Sequence, residues 1–253
     1  MTLAASLPMY DLPELRSANA AFVAALRDVL REDAPDDAGD LRLSQMCGYP
    51  MQTDVRGQFV TLGTPWYDVP GCEGPAHRAF VVVPVDSPAK RLEDLRGRRF
   101  AVNDERSNTG MNLPRRAFAP LSEEGPLFER VIVTGSHAAS MALVAAGGAD
   151  AASIDCVTYG LYLRHRRASV ERLRILEWTS PSPAPPFVTP VETSQRGVTA
   201  LRDALARISS EPRFGPLLRS LHVSSISLLA DDAYDVLLAY EAEAVGQGYP
   251  VLR

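Results

Sequence analysis

DERSNTGMNLPRRAF (Asp104–Phe118) sets small polar residues and a glycine between a strand-like segment, RRFAVND, and a helical one. A helix opening at Asn108 or Thr109 leaves its first backbone N–H groups without internal partners. The aligned peptide dipoles put roughly half a positive charge at the same end. Two readings follow. Ser107 or Asn108 simply caps the helix, as such residues commonly do. Alternatively the opening holds an anion: the Ser107 and Thr109 hydroxyls add donors, and Gly110 lets an oxyanion approach the backbone.

Outward from this stretch the pattern recurs. In VIVTGSHAASMALVAAGGADAASIDCVTYG (131–160) a strand runs through a turn at Gly135 into a helix with Ser136 and His137 in its first turn, and a further strand ends at Asp155. His137 is either a donor to an oxyanion or a solvent-facing first-turn residue. Asp155 is either an acceptor for a protonated oxygen or an amine, or the N-cap of a helix starting at Cys156.

Short apolar runs alternate with helical stretches along the chain, which predicts an α/β fold with largely parallel sheets. Strands are expected at 2–7, 41–46, 59–63, 79–85, 99–103, 129–134, 149–154 and 173–178. Helices are expected at 13–31, 108–118, 136–146 and 156–166. After Thr189 the pattern reads as helices only, at 198–209, 212–221 and 230–246. Two stretches mark crossings between lobes. One is the polar turn near 83–88; the other lies within 178–190, where TSPSPAPPFVTP carries five prolines in ten residues, a composition that excludes a helix or central strand. Residues 1–84 with 188–253 then form one lobe and 85–187 the other, with a ligand cleft at the carboxyl ends of the strands. From the first lobe, Tyr10, Gln45, Tyr67 and His77 end strand-like segments and are candidates for the opposite wall.

The 253 residues carry a net charge of −5, with 46% hydrophobic and 23% charged residues. This is an ordinary globular composition. Scattered basic residues exclude a nucleic-acid footprint. No stretch approaches the roughly 18 apolar residues of a membrane span, and residues 1–20 do not read as a signal peptide. The chain is therefore expected in the cytoplasm as it stands, or in the periplasm if a leader lies upstream. Enzyme signatures fail: there is no G-x-G-x-x-G, Walker loop, G-x-S-x-G or H-E-x-x-H. His77, His137, His165 and His222 lack ligand spacing, so neither metal nor cofactor is expected. Of three cysteines, Cys47 and Cys72 each follow a strand-like segment and are a candidate disulfide in an oxidising compartment; buried free thiols are the default.

SNTG, GSHAAS 28 residues later, GADAASIDCVTYG and PSPAPPFVTP, in this order and spacing, resemble the phosphate/phosphite/phosphonate substrate-binding proteins of ABC transporters. LPMYD, LSQMCGYP and GTPWYDVPGC resemble a branch of that family. The resemblance implies a two-lobed type II periplasmic-binding-protein fold closing on a small oxyanion. It further implies a non-catalytic monomer with a permease partner and no membrane insertion. Carried over by motif, it assigns Ser107, Asn108, Thr109 and His137 to the ligand, with Tyr10, Tyr67 or His77 as the aromatic wall and Asp155 as the acidic contact. Two other readings compete. One is an enzyme on the same fold, of the thiamine-pyrimidine or menaquinone-pathway type, whose chemistry would fall to Cys47, His137 and Asp155. The other is a ligand-sensing module.

Overall fold

The computed structural model describes residues 2–33, 40–122 and 125–253. The first half of the chain forms β1 (Thr2–Ser6), α1 (Arg16–Asp33), β2 (Asp40–Gln45), α2 (Gly48–Gln52), β3 (Phe59–Tyr67), β4 (Ala76–His77), β5 (Ala79–Pro84) and β6 (Arg99–Val102). A π-helical turn, Asn108–Asn112, then runs into α3 (Leu113–Phe118). There follow β7 (Arg130–Val133), α4 (His137–Ala145), β8 (Ala151–Asp155), α5 (Cys156–His165), β9 (Leu173–Trp178), β10 (Ser182–Pro183) and β11 (Phe187–Pro190). The chain ends with α6 (Gln195–Ser210), α7 (Gly215–Ser220), β12 (Val223–Ser227) and α8 (Val236–Gly246). Two compact units result. The first is Met1–Asp68, Glu73–Ala76 and Pro183–Ala233; the second is Val69–Cys72, His77–Ser182 and Tyr234–Arg253.

In the first unit the sheet order is β1-β2-β11-β3-β12. β1 and β2 are parallel, and β11 runs antiparallel to both β2 and β3, so β1, β2 and β3 point the same way. α6 shows why it packs here: Val198, Leu201, Leu205 and Ile208 recur at helical spacing and are all buried. Its apolar face meets Phe22, Leu26, Val29 and Leu30 of α1 in one core with Leu41, Leu43 and Leu62 from the sheet. Phe22 stacks on Phe187 with ring centroids 5.4 Å apart. Ser194 caps α6 by accepting the Gly197 N–H at 3.1 Å.

In the second unit the order is β7-β6-β8-β5-β9. β6 is parallel to both β7 and β8, while β5 is antiparallel to β8 and β9. Phe100, Phe118 and Phe128 pack against one another in the core, with centroids 4.7 to 5.3 Å apart. Ala244 of α8 and Tyr249 and Leu252 beyond it join the same core.

Apart from α2, which was not expected, the described helices and most strands lie where the periodicity puts them, but four expectations need correction. β5, expected to close the first lobe at residue 84, belongs to the second sheet: Ala79–Val83 is fully buried and paired on both sides, so the chain changes unit before it rather than at 83–88. α8, placed in the first lobe with 188–253, packs in the second unit because Leu237 and Ala244 need its core. The segment after Thr189 is not purely helical, since Val223–Ser227 pairs with β3 as an edge strand. The prolines do not keep β11 out of a sheet interior either. Pro181 to Pro186 precede it, and Phe187, Val188 and Thr189 occupy its length between β2 and β3. Among the described residues no helix is long and apolar enough to cross a membrane.

Leu201 is fully buried at the α1–α6 contact. Leu201→Ala should lower unfolding stability by about 2–5 kcal/mol, measured by urea denaturation with an unchanged m-value.

Candidate functional site

Because β6, β7 and β8 run in parallel, their carboxyl ends share one edge of the second unit's sheet, and each feeds a polar turn or a helix start. After β6, Ser107 Oγ accepts the Gly110 N–H at 2.9 Å, and the Met111 and Asn112 N–H groups reach the Ser107 carbonyl, both at 3.0 Å. The N–H groups of Asn108 and Thr109 keep no hydrogen-bond partner among the described residues. After β7, Ser136 Oγ accepts the Ala139 N–H at 3.1 Å and its carbonyl the Ser140 N–H at 2.9 Å. That leaves the His137 and Ala138 N–H groups open in the same sense. The two starts meet: Thr109 Oγ1 and His137 Nε2 are 3.1 Å apart. From β8, the fully buried Ser153 donates its hydroxyl to the Thr109 carbonyl at 2.6 Å and fixes the first start over the strand.

The charges around this edge are largely compensated within the protein. Asp155 and His77 are both buried and joined by a 3.0 Å Oδ2···Nδ1 contact. Asp155 Oδ1 accepts the Thr158 N–H at 2.8 Å and so caps α5. Burial raises the Asp155 pKa, but the His77 hydrogen bond and charge, with His137 and the cap, outweigh it and hold the carboxyl below its ordinary value. His137 is half-buried as a residue, with ring nitrogen Nδ1 shielded from solvent. Burial lowers its pKa against the pull of Asp155, so the imidazole is neutral at pH 7 and meets Thr109 as a donor or acceptor without charge.

The expected site residues fall into two groups. Ser107, Asn108, Thr109, Gly110, His137 and Asp155 come together in the second unit, and His77 joins them there instead of standing in a first-lobe wall. Asn108 offers its backbone, because its side chain donates to Ser182 Oγ at 2.9 Å and accepts from Asn112 at 3.3 Å. Gly110 does not open its own N–H to a guest, since that group is bound to Ser107. Its missing side chain serves packing: an added Cβ would lie 1.7 Å from Asn103 Oδ1. In the first unit, Tyr10, Gln45 and Tyr67 gather at the carboxyl ends of β1, β2 and β3. Gln45 Nε2 donates to Tyr67 Oη at 2.7 Å and to the Pro185 carbonyl at 3.1 Å, and the Tyr10 and Tyr67 rings meet edge-on at 5.0 Å. The expected Cys47–Cys72 disulfide is absent, as none of the three cysteines is in a disulfide, and Cys72 Sγ lies 3.5 Å from Cys156 Sγ. Nor does a thiol triad assemble on His137, whose ring faces Thr109 while Asp155 holds His77. Among the described residues no group of three or more His, Cys, Asp or Glu could hold a metal ion.

Sequence reasoning did not single out Ser153 or Ser182, which anchor Thr109 and Asn108. A lone serine in the apolar strand AASID was the available signal for the first. Nothing local marked the second.

Residues 37–234, well over half of the chain, match the family model described as ABC transporter, phosphonate, periplasmic substrate-binding protein. The chain belongs to this phosphonate-binding family. Its members are substrate-binding proteins rather than enzymes. Similar solved structures include a binding protein component of an ABC phosphonate transporter from Pseudomonas aeruginosa, at TM-score 0.76 and 14% identity, covering 98% of this chain and 88% of that one. Another is PhnD1 from Prochlorococcus marinus in complex with methylphosphonate, at TM-score 0.69 and 15% identity over 97% and 98% of the chains. The periplasmic aliphatic sulphonate binding protein SsuA from Escherichia coli matches at TM-score 0.60 and 14% identity over 96% and 85%. At these identities the neighbours establish the fold, that of type II periplasmic binding proteins with two α/β units. The phosphonate-family chain thus places its two unpaired helix starts on the strand-end edge of the second unit.

Two predictions follow from the charges. His77→Ala leaves the Asp155 carboxylate buried without its His77 partner and should cost about 3–5 kcal/mol at pH 7, read by urea denaturation. Adding Asp155→Asn, which keeps the α5 cap, should recover part of the loss. His137, neutral when folded, makes the unfolded state the better proton binder below its ordinary value of 6.5, so stability falls as pH drops through that value toward the depressed folded one. The slope is at most about 1.4 kcal/mol per pH unit, and His137→Gln should flatten it in denaturation curves taken from pH 7 to 5.

Proposed function

We propose that this protein is a receptor for a small tetrahedral oxyanion, held at the carboxyl edge of the second unit and presented to the permease of an ABC transporter in the periplasm. The observation that carries the reading is the 3.1 Å contact between Thr109 and His137, which brings two helix starts together, each with two unpaired N–H groups. Four such donors, the positive ends of two helices and the Ser107 and Thr109 hydroxyls suit a phosphonate, phosphite or phosphate. Neutral His137 adds a hydrogen bond without fixing the ligand's charge. The neighbours agree in kind: one is in complex with methylphosphonate and another binds aliphatic sulphonates, both tetrahedral oxyanions. Ligand binding then shifts the receptor population toward the conformer that holds it.

Asp155 narrows the ligand class. Its two oxygens are engaged by His77 and by the Thr158 N–H, so the carboxylate is already partly compensated within the protein and an ammonium group on the ligand would gain less from it. The ligand is therefore an oxyanion without a cationic substituent.

The test is calorimetric titration with phosphate, phosphite, methylphosphonate and 2-aminoethylphosphonate. At least one of the first three should bind, and 2-aminoethylphosphonate should bind about tenfold or more weakly, near or above 1.4 kcal/mol of discrimination. A bound ligand at about 100 times its Kd should also add about 2.7 kcal/mol to stability. Thr109→Val and His137→Ala should each abolish or strongly weaken binding while the protein stays folded by circular dichroism. Absence of heat with every oxyanion would overturn the reading, and preferential binding of 2-aminoethylphosphonate would overturn the ligand class.

A further inference from the structure

We propose that Cys72 and Cys156 are a built disulfide site, which thiol–disulfide exchange closes to clamp residues 69–72 onto the start of α5. The two sulfurs lie 3.5 Å apart in the second unit, bound by 84 residues of sequence, and neither is in a disulfide. The chain is shaped to bring them together. Gly71 has φ +93°, and a Cβ there would stand 2.6 Å from the Phe80 ring and 2.8 Å from Cys156 Cβ, so only glycine lets this segment lie so low over α5. One helical turn further on, Gly160 packs under Val69, where an added Cβ would be 2.7 Å from Val69 Cβ. The Cys72 N–H closes a turn on the Val69 carbonyl at 3.2 Å. A bond needs an S–S separation of about 2.05 Å, so the sulfurs must approach by about 1.5 Å.

Exposure sets the order of reaction. Cys72 is half-buried, whereas Cys156 is fully buried, with its thiol proton retained by the contact with Cys72, by burial and by the Asp155 charge. The oxidant is a small-molecule or protein disulfide. The Cys72 thiolate attacks one of its sulfurs and expels a thiolate, giving a mixed disulfide. Cys156 then loses its proton to solvent, attacks Cys72 Sγ and expels the second thiolate. Two protein thiols and one external disulfide become one protein disulfide and two external thiols. The Arg78 N–H, 3.3 Å from Cys156 Sγ, assists by donating to the sulfur as charge develops there.

The experiment incubates reduced native protein with glutathione disulfide, quenches with acid, unfolds it in urea, alkylates with N-ethylmaleimide and maps tryptic peptides. Wild type should carry one maleimide, on Cys47, and join peptide 57–78 to peptide 131–164. Cys47→Ser should form the same bridge and take no maleimide, and neither Cys72→Ser nor Cys156→Ser should form it. The oxidised form should melt several degrees higher than the reduced one, because the bond closes a long loop in the unfolded chain, and dithiothreitol should reverse the gain. Three alkylated cysteines, glutathione retained on Cys72, a bridge through Cys47 or a lower Tm on oxidation would each overturn the proposal. All of these readouts are made without ligand and stand or fall separately from the oxyanion reading.

Discussion

A carboxylate with almost no exposure to water is costly unless its charge is answered on the spot. Asp155 is such a group, at the end of a strand buried along its whole length. Its answer has two parts, the His77 imidazole on one oxygen and the opening N–H groups of α5 on the other. Both constrain the chain. His77 reaches Asp155 only because β5 starts two residues later with Ala79 opposite Asp155 in an antiparallel register. α5 must begin directly at Cys156, which brings that cysteine under residues 69–72. The pair thus sets the geometry of β5, β8, α5 and the loop laid over them.

The same compensation decides what the neighbouring edge can attract. A carboxylate left open beside His137 would repel an anion and favour a cation. Held between His77 and a helix start, it leaves the unpaired N–H groups after β6 and β7 as the dominant local field. Those groups arise from parallel topology: three strands running the same way must return through helices, and their helices all open on one side. Serine at both caps closes one N–H of each opening and leaves two others of each start pointing outward.

The local periodicity of this chain is strong, and the elements it marks are nearly all present. Ser107 was legible as a cap residue because a hydroxyl at a helix start has few other local uses, whereas Ser136 read as a first-turn residue and the structure shows it as the cap. Asp155 was legible as either a cap or a ligand contact, and the structure shows it capping α5. What the local pattern misassigned depends on partners distant in sequence. AFVVV reads equally well as the last strand of one sheet or the middle strand of another, and the choice came from β8 and β9, which lie some 70 to 100 residues downstream. Phe187 to Thr189 is too short and too close to proline to announce a central strand, yet β2 and β3 leave a gap that it fills.

The sequence by itself determined where the helices open, which small residues sit at those openings and, through the order of its motifs, the family. Each of these is a property of a few consecutive residues or of their spacing. Only the tertiary structure decided that Thr109 meets His137, that Asp155 is closed by His77 and that Cys72 lies beside Cys156. Those contacts join residues 28, 78 and 84 positions apart. Their energies depend on burial and distance, which no local pattern encodes.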